Sequence, residues 1–354
     1  MVSHFLSFGS IGNGSGKQKV ELLKHLTPVF VGVLVIVVFF SLVNPYISSL
    51  QQRYTSVSTE TTYTTPTHTS NVTTTTTIIV DSIRSELVSY ALKLINDDRA
   101  TFGLAPVRLG SNIAAQKHSE DLARLNVLSH WGADGMKPYM RYSFYGGRNY
   151  VQENVGAVFL SGRASPPSVE EMRSYIKELE YNMVYNDSAA NWGHKRNILD
   201  LSHTHVNIGV DYTNNIFVVV QNFENIYINW GLFEIKGTHV KLGGTFLKDM
   251  KPYLFVVCYD PLPEPLTKEQ LAGPPYNNGY SLGEKIGSVL NEGYKVDIPY
   301  VYATKWYQNG LDFNIGFDLS SFVQKDGVYT ILFEIVDGNG EIYYTTIHSI
   351  SIKR

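Results

Sequence analysis

The sequence predicts an α+β chain behind an N-terminal transmembrane helix. Three observations carry that reading. An uncharged apolar run spans Leu26 to Ile47. Apolar residues at helical spacing, followed by β-branched alternation, fill the stretch from 79 to 228. From 229 to 354 only short strand-like runs appear, separated by Gly and Pro. With 354 residues the chain has room for two globular domains.

The run from Leu26 to Ile47 is long enough to cross a bilayer, which takes about 20 apolar residues. Lys17, Lys19 and Lys24 precede it, and Arg53 is the only nearby basic residue after it. The positive-inside rule then puts residues 1–25 in the cytoplasm and everything beyond Ile47 outside, as a single-pass protein of the cell membrane. Asn44-Pro45-Tyr46 after the run is not a small-x-small cleavage site, which favours an uncleaved anchor over a signal peptide. Residues 48–78 are rich in Thr and Ser and have the composition of an exposed, O-glycosylated stalk or a plain linker. Asn71-Val72-Thr73 is an N-glycosylation sequon.

Ordered structure is expected from near Ile78. Asp81 or Ser82 can cap a first helix, with Ile83, Leu87, Tyr90, Ala91, Leu94 and Ile95 on one face and Gly103 as its stop. A second helix is expected at about Asn112 to Asn126. Ser168 and Glu171 form a capping box for a third. Val206 to Asp211 and Ile216 to Phe223 read as strands joined at Thr213-Asn214-Asn215. Helices first, strands last and a helix between them make a layered α/β unit. Beyond Tyr227 the runs Leu232–Ile235, Tyr253–Tyr259, Leu311–Phe317, Val328–Val336 and Ile342–Ile352 read as a β-sandwich of immunoglobulin size, with Asp337-Gly338-Asn339-Gly340 as a hairpin turn.

Composition excludes several functions. The net charge of -3 gives nucleic acid no basic surface. A single cysteine, Cys258, rules out a disulfide framework or thiolate metal cluster within one chain. Its neighbours Phe255-Val256-Val257 make it a core residue, with a covalent dimer as the alternative. The chain holds no Gly-x-Ser-x-Gly, no His-Glu-x-x-His and no Gly-rich phosphate loop.

Between Asn96 and Phe223 short signatures follow in order: Asn96-Asp97-Asp98-Arg99, Lys117-His118-Ser119-Glu120-Asp121-Leu122-Ala123, Ser129-His130-Trp131, Glu153-Asn154-Val155-Gly156, Gly193-His194-Lys195-Arg196-Asn197-Ile198-Leu199, Val206-Asn207-Ile208-Gly209-Val210 and Val220-Gln221-Asn222-Phe223. Their order and spacing resemble the CAP superfamily (cysteine-rich secretory, antigen 5 and pathogenesis-related proteins, or SCP-like) in its microbial, cysteine-poor branch. The resemblance implies a CAP-type α-β-α sandwich for 79–228. It also implies a cavity holding His130, Glu153 and His194, with a fourth, acidic position for which Glu178, Glu180 and Asp187 are in range and Asp187 is preferred.

Two neutral imidazoles, His130 and His194, can share one Zn²⁺ or Cu²⁺ weakly, and a nearby carboxylate can orient an imidazole through its second nitrogen; buried histidines without metal are the alternative. His118 is expected to pack in the core, and His203 and His205 to be polar residues at a loop edge or an extension of the metal site. Arg99 is expected to pair with a core carboxylate. The functional reading is a membrane-anchored extracellular module that binds a lipid, peptide, glycan or surface protein. A metal-dependent hydrolase using His130, His194 and Glu153, and a structural component of the cell envelope, are the alternatives.

Overall fold

The computed structural model describes residues 70–354, with side chains from Asp81 onward. The expected cytoplasmic segment, the membrane helix at 26–47 and most of the stalk lie outside the described residues. Among the described residues no helix is long and apolar enough to cross a membrane. Residues 74–354 form one compact unit.

Helix α1 runs Ser70–Thr101, starting well before the expected Asp81 or Ser82 and taking in Asn71 of the sequon. Extending an existing helix adds a bond per residue, whereas nucleating one is costly, so the amphipathic stretch carries the Thr-rich turns with it. Leu87, Ala91 and Ile95 are its fully buried face. Asn96 closes the following loop by bonding Val107 in both directions, at 3.0 and 2.8 Å. Arg99 is buried, but it donates to the carbonyls of Ala105, Ile198 and Asp200 at 2.6–2.9 Å rather than pairing with a core carboxylate. Carbonyls at the ends of other elements already need donors there, and a guanidinium supplies several at once.

Strand β1 (Arg108–Leu109) precedes α2 (Ala114–Leu125), α3 (Pro138–Phe144), β2 (Tyr150–Phe159) and α4 (Val169–Tyr185). Sequence periodicity missed α3, whose seven residues are too few to show it. Helix α5 (Gly193–Ile198) leads to the hairpin β3 (His205–Tyr212) and β4 (Ile216–Asn225). These strands form one sheet in the order β1-β3-β4-β2. Successive side chains of β4 point to opposite faces. Phe217, Val219 and Phe223 meet α1 and α4, while Ile216, Val218 and Val220 meet α2. Burial on both faces makes this half an α-β-α sandwich. Gly209 lets β3 touch α2: a Cβ there would lie 2.1 Å from the Ala115 carbonyl oxygen.

The Ser168–Glu171 capping box forms as expected, with the Ser168 hydroxyl 3.3 Å from the Glu171 amide and the Glu171 carboxylate 2.7 Å from the Ser168 amide. Ser168→Ala should therefore destabilise the protein by about 1 kcal/mol. A urea midpoint unchanged in Ser168→Ala would mean that the bidentate Arg163–Glu171 pair fixes this helix end instead.

The C-terminal half is a β-sandwich. One sheet orders β10 (Lys305–Asn309), β11 (Asp312–Asp318), β6 (His239–Phe246) and β5 (Ile228–Lys236). The other orders β13 (Ile342–Ile352), β12 (Gly327–Asp337), β7 (Met250–Asp260), β8 (Glu284–Leu290) and β9 (Tyr300–Tyr302). Leu242, Phe313 and Ile315 of the first sheet face Phe255, Val257, Ile331 and Phe333 of the second. Phe255 and Phe333 stack at 4.3 Å. A one-turn helix, α6 (Lys268–Leu271), lies in the long β7–β8 connection.

The two halves share a core. Tyr139, Met140, Tyr142, Tyr150 and Val151 of the α-β-α half pack with Val256, Cys258, Val328, Leu332 and Ile347 of the sandwich. Cys258 is therefore buried between the halves, and burial together with Asp260 pushes its thiol up to about 12.

Candidate functional site

β2 is an edge strand of the first sheet, so its side chains can be met from both faces and from outside. Glu153 and its neighbour Asn154 point opposite ways along it. Glu153 receives His130, which follows α2 on the loop to α3. The His130 Nδ1 lies 3.0 Å from Glu153 Oε1, and a carboxylate only accepts, so Nδ1 carries the proton. Asn154 donates to the His194 carbonyl at 3.3 Å and accepts from Asn197 at 2.9 Å, tying α5 to the same strand.

His194 stands at the start of α5 after an unusual turn. Asn191 and Trp192 both adopt left-handed backbone, at φ 50° and 61°. Asn tolerates that conformation, whereas for Trp it is strained by about 1 kcal/mol or more. The turn is held by the Trp192 amide on the Asp187 carbonyl at 2.9 Å and the Lys195 amide on the Asp187 carboxylate at 3.1 Å. It delivers His194 Nδ1 to Asp187 Oδ1 at 2.7 Å. Burial works against the Asp187 charge, but His194 and the Lys195 amide hold its pKa below the ordinary value.

The four residues thus form two carboxylate–imidazole pairs, His130–Glu153 and His194–Asp187. In each, Nδ1–H is donated to the carboxylate and no bond to Nε2 occurs among the described residues. Burial, then His194 and Arg141, lower the pKa of His130 despite Glu153, so His130 is neutral at physiological pH. Of the other acids in range, Glu178 is exposed. Glu180 is buried against Gln221 at 2.7 Å and pushed up to about 8 by burial.

Three more residues complete the site: Arg141 and Tyr280, which the sequence did not mark, and His118, which is buried in the core as expected. Arg141 on α3 donates to Glu153 Oε2 at 2.8 Å and to the His130 carbonyl at 3.2 Å. His118 on α2 is fully buried, with Nε2 3.8 Å from Glu153 Oε1. Burial alone would raise the Glu153 pKa; Arg141, His118 and His130 outweigh it and hold the carboxyl down to about 2. Tyr280 comes from the sandwich half. Its hydroxyl accepts the Glu153 amide at 3.3 Å, and its ring meets the His130 ring edge-on at 5.1 Å.

Tyr280 belongs to a strap, residues 261–283, that leaves β7 and crosses the site before β8. Trp131 donates to the Gly279 carbonyl at 2.9 Å, Ser129 to the Tyr276 carbonyl at 2.9 Å, and Leu266 to the Ala133 carbonyl at 2.8 Å. At its root, Lys137 and Tyr139 hold the Asp260 carboxylate at 2.7 Å each. Leu271 enters the core beneath α2. Nothing in the local pattern near Tyr280 marks it as part of a site 127 residues away.

His203 and His205 find other partners. His203 lies between the amide oxygens of Asn225 and Asn197, at 2.7 and 2.9 Å, and stacks on Phe223. His205 bonds Thr204 at 2.9 Å and borders a cavity of about 410 Å³ with Trp230 and Glu224. A second cavity of about 270 Å³ lies behind the first pair, bordered by His118 and Arg141. No group of three or more His, Cys, Asp or Glu side chains converges to hold a metal among the described residues. Two imidazole nitrogens alone would make an open, exchangeable site and not a structural zinc, which uses four ligands.

No family model matches the chain, and no curated protein matches it. Among solved structures, the chain is similar to the CAP domain of Enterococcal PrgA, at 18% identity and a TM-score of 0.29 over 40% of this chain and 61% of that one. It is also similar to an outer surface protein from Borrelia burgdorferi, at 15% identity and a TM-score of 0.29 over 40% of this chain and 92% of that one. This chain thus spans less than two thirds of the PrgA structure. The likeness to both is one of outline, and the reading of the site rests on its own residues.

Proposed function

We propose that the chain is a membrane-anchored extracellular binding module of CAP type, held by residues 26–47, whose cavity takes a divalent cation such as Zn²⁺ weakly through His130 and His194. One observation supports it most: both rings give Nδ1–H to a carboxylate and keep Nε2 free. That is the arrangement in which histidine ligates metal, its second nitrogen orienting the ring. The ligand presented to the outside is a lipid, peptide, glycan or surface protein, and the near-neutral charge of -3 argues against nucleic acid.

The same geometry supports binding over hydrolysis. A general base works best with a pKa near the operating pH. Glu153 is held down to about 2, with one oxygen taken by His130 and the other by Arg141. It is an orienting group more than a proton acceptor.

Titration calorimetry of the full-length protein tests the metal. Zn²⁺ should bind near pH 7 and bind less on acidification, because protonated imidazole cannot ligate, and the lowered pKa of His130 delays its own protonation. His130→Ala/His194→Ala should abolish binding, and Asp187→Asn should weaken it about 10-fold by freeing the His194 ring. Equal affinity in wild type and the double variant would remove the metal from this site and leave a module that binds without it.

A further inference from the structure

The cavity of about 410 Å³ lies where the two halves meet, between the β1–α2 loop, the α3–β2 loop and Trp230 of β5. Small-molecule sites run from about 300 to 1,000 Å³. His205 of β3 stands directly opposite Glu224 of β4, so both side chains lie on the cavity face of the sheet. Glu224 is closed off by donors of its own, from Tyr142, Asn207 and Asn149. His205 is not. The Thr204 hydroxyl gives its one proton to the Glu224 carbonyl at 3.3 Å and takes the Ile226 amide at 2.9 Å. It therefore accepts from His205 Nδ1 at 2.9 Å, which leaves Nε2 a bare lone pair. That Nε2 has no partner among the described residues and is not one of the polar atoms sealed from solvent. Burial, then Arg108, lower the pKa of His205, so the lone pair persists near neutral pH. At the rim, Arg148 is exposed. Its guanidinium is held 5.2 Å from the Phe233 ring centre, with no hydrogen bond or ion pair among the described residues.

We propose that this cavity binds a sugar carboxylate, such as a uronate residue of an acidic glycan, with the carboxylate on Arg148 and a ring hydroxyl donating to His205 Nε2. The lining calls for both groups on one ligand. A neutral sugar leaves the Arg148 guanidinium without an anion. A plain carboxylate, including the side chain of an acidic peptide, brings no donor to His205. An amine would meet the charge of Arg148, while the Glu224 oxygens are already engaged. The carboxylate belongs at the rim, because Glu224 would repel it deeper in the cavity. The rest of the lining suits a ring with apolar faces and hydroxyl edges. Leu109 is 47% exposed, and Tyr145 and Trp230 are half-buried beside Ser111 and Asn112. The site shares no residue with the His130–Glu153 and His194–Asp187 pairs, so it stands whether or not they take a metal.

Three probes with six-membered rings test it on the full-length protein: methyl glucuronoside, methyl glucoside and cyclohexanecarboxylate. The readout is the side-chain ¹⁵N resonance of His205 Nε2, which moves when that nitrogen accepts a hydrogen bond. Methyl glucuronoside should shift it saturably. The glucoside and the cyclohexane acid should each bind at least about 10-fold more weakly, because each lacks one of the two bonds. Arg148→Gln, at an exposed position, should weaken the glucuronoside about 10-fold and leave the glucoside unchanged, with the urea midpoint as the check on folding. Free glucuronate and a hyaluronan tetrasaccharide then tell a free sugar acid from a glycan chain by which binds more tightly. No saturable shift with any probe overturns the proposal. So does equal binding of the three rings, or glucuronoside affinity unchanged in a folded Arg148→Gln. N-acetylaspartate amide binding as tightly as the glucuronoside would also overturn it, in favour of an acidic peptide.

Discussion

Residues 79–228 on their own should fail to fold, although texture alone places a domain boundary at their end. The reason is the shared core. Tyr139, Met140, Tyr142, Tyr150 and Val151 are all at most 6% exposed, and they pack on Val256, Cys258, Val328, Leu332 and Ile347. Leu271, fully buried, fills the core under α2. Fully burying one large apolar side chain contributes about 1.5–3 kcal/mol, and a domain's whole stability is about 5–15 kcal/mol. Uncovering several such side chains therefore exceeds what the α-β-α half can spare. Truncation also strips Tyr280 from His130 and leaves Lys137, nearly buried, without Asp260. Expression of residues 79–228 should give insoluble or molten protein, read by loss of near-ultraviolet circular dichroism. Limited proteolysis of the intact chain should leave 225–231 uncut, because Ile226 and Tyr227 are held by Thr204 and Ser202 at 2.9 and 2.6 Å. A soluble 79–228 with a cooperative melt would sink this reading and restore two independent domains.

What the sequence made legible and what it hid have a common physical basis. Elements with a period or a punctuation mark could be read: the Ser168 cap, the hairpin between Tyr212 and Ile216, and the last strand at Ile342–Ile352. Short or irregular elements could not. α3 has seven residues, fewer than a periodic pattern needs, yet it carries Arg141 and Tyr139. β6 carries two adjacent glycines, Gly243 and Gly244, which blur its alternation. The motifs placed His130, Glu153, His194 and Asp187 in one cavity but did not say which carboxylate holds which ring. Their geometry depends on an edge strand and a left-handed turn at Trp192 that no local pattern announces. Arg141 and Tyr280 were missed for a simpler reason. A buried arginine looks like any surface arginine in sequence, and a strap residue meets the site only through folding of the far half.

Arg141→Met should destabilise the protein by about 3–5 kcal/mol near neutral pH, because it strands a buried carboxylate. Glu153 is fully buried at its side chain, and Arg141 is the strongest influence keeping it ionised. In wild type the folded pKa of about 2 lies below the ordinary 4.5, so this contribution is present above about 4.5 and is lost as pH falls towards 2. His118 acts in the same direction. Its folded pKa of about 3 lies below the ordinary 6.5, so the unfolded chain takes up a proton first and stability falls as pH drops from 6.5 towards 3. Wild type should therefore lose stability steadily on acidification across that window. In Arg141→Met, burial is no longer outweighed and the Glu153 pKa rises. Protonation then relieves the stranded charge, and the gap between variant and wild type narrows as pH falls. Urea midpoints at pH 7 and pH 4 read this directly. Adding Glu153→Gln to Arg141→Met should recover part of the loss at pH 7 and little at pH 4. A deficit below about 1 kcal/mol at pH 7 would instead resemble an exposed ion pair and contradict a buried Arg141–Glu153 bond. A deficit that does not change with pH would place the damage in packing around α3, not in the charge of Glu153.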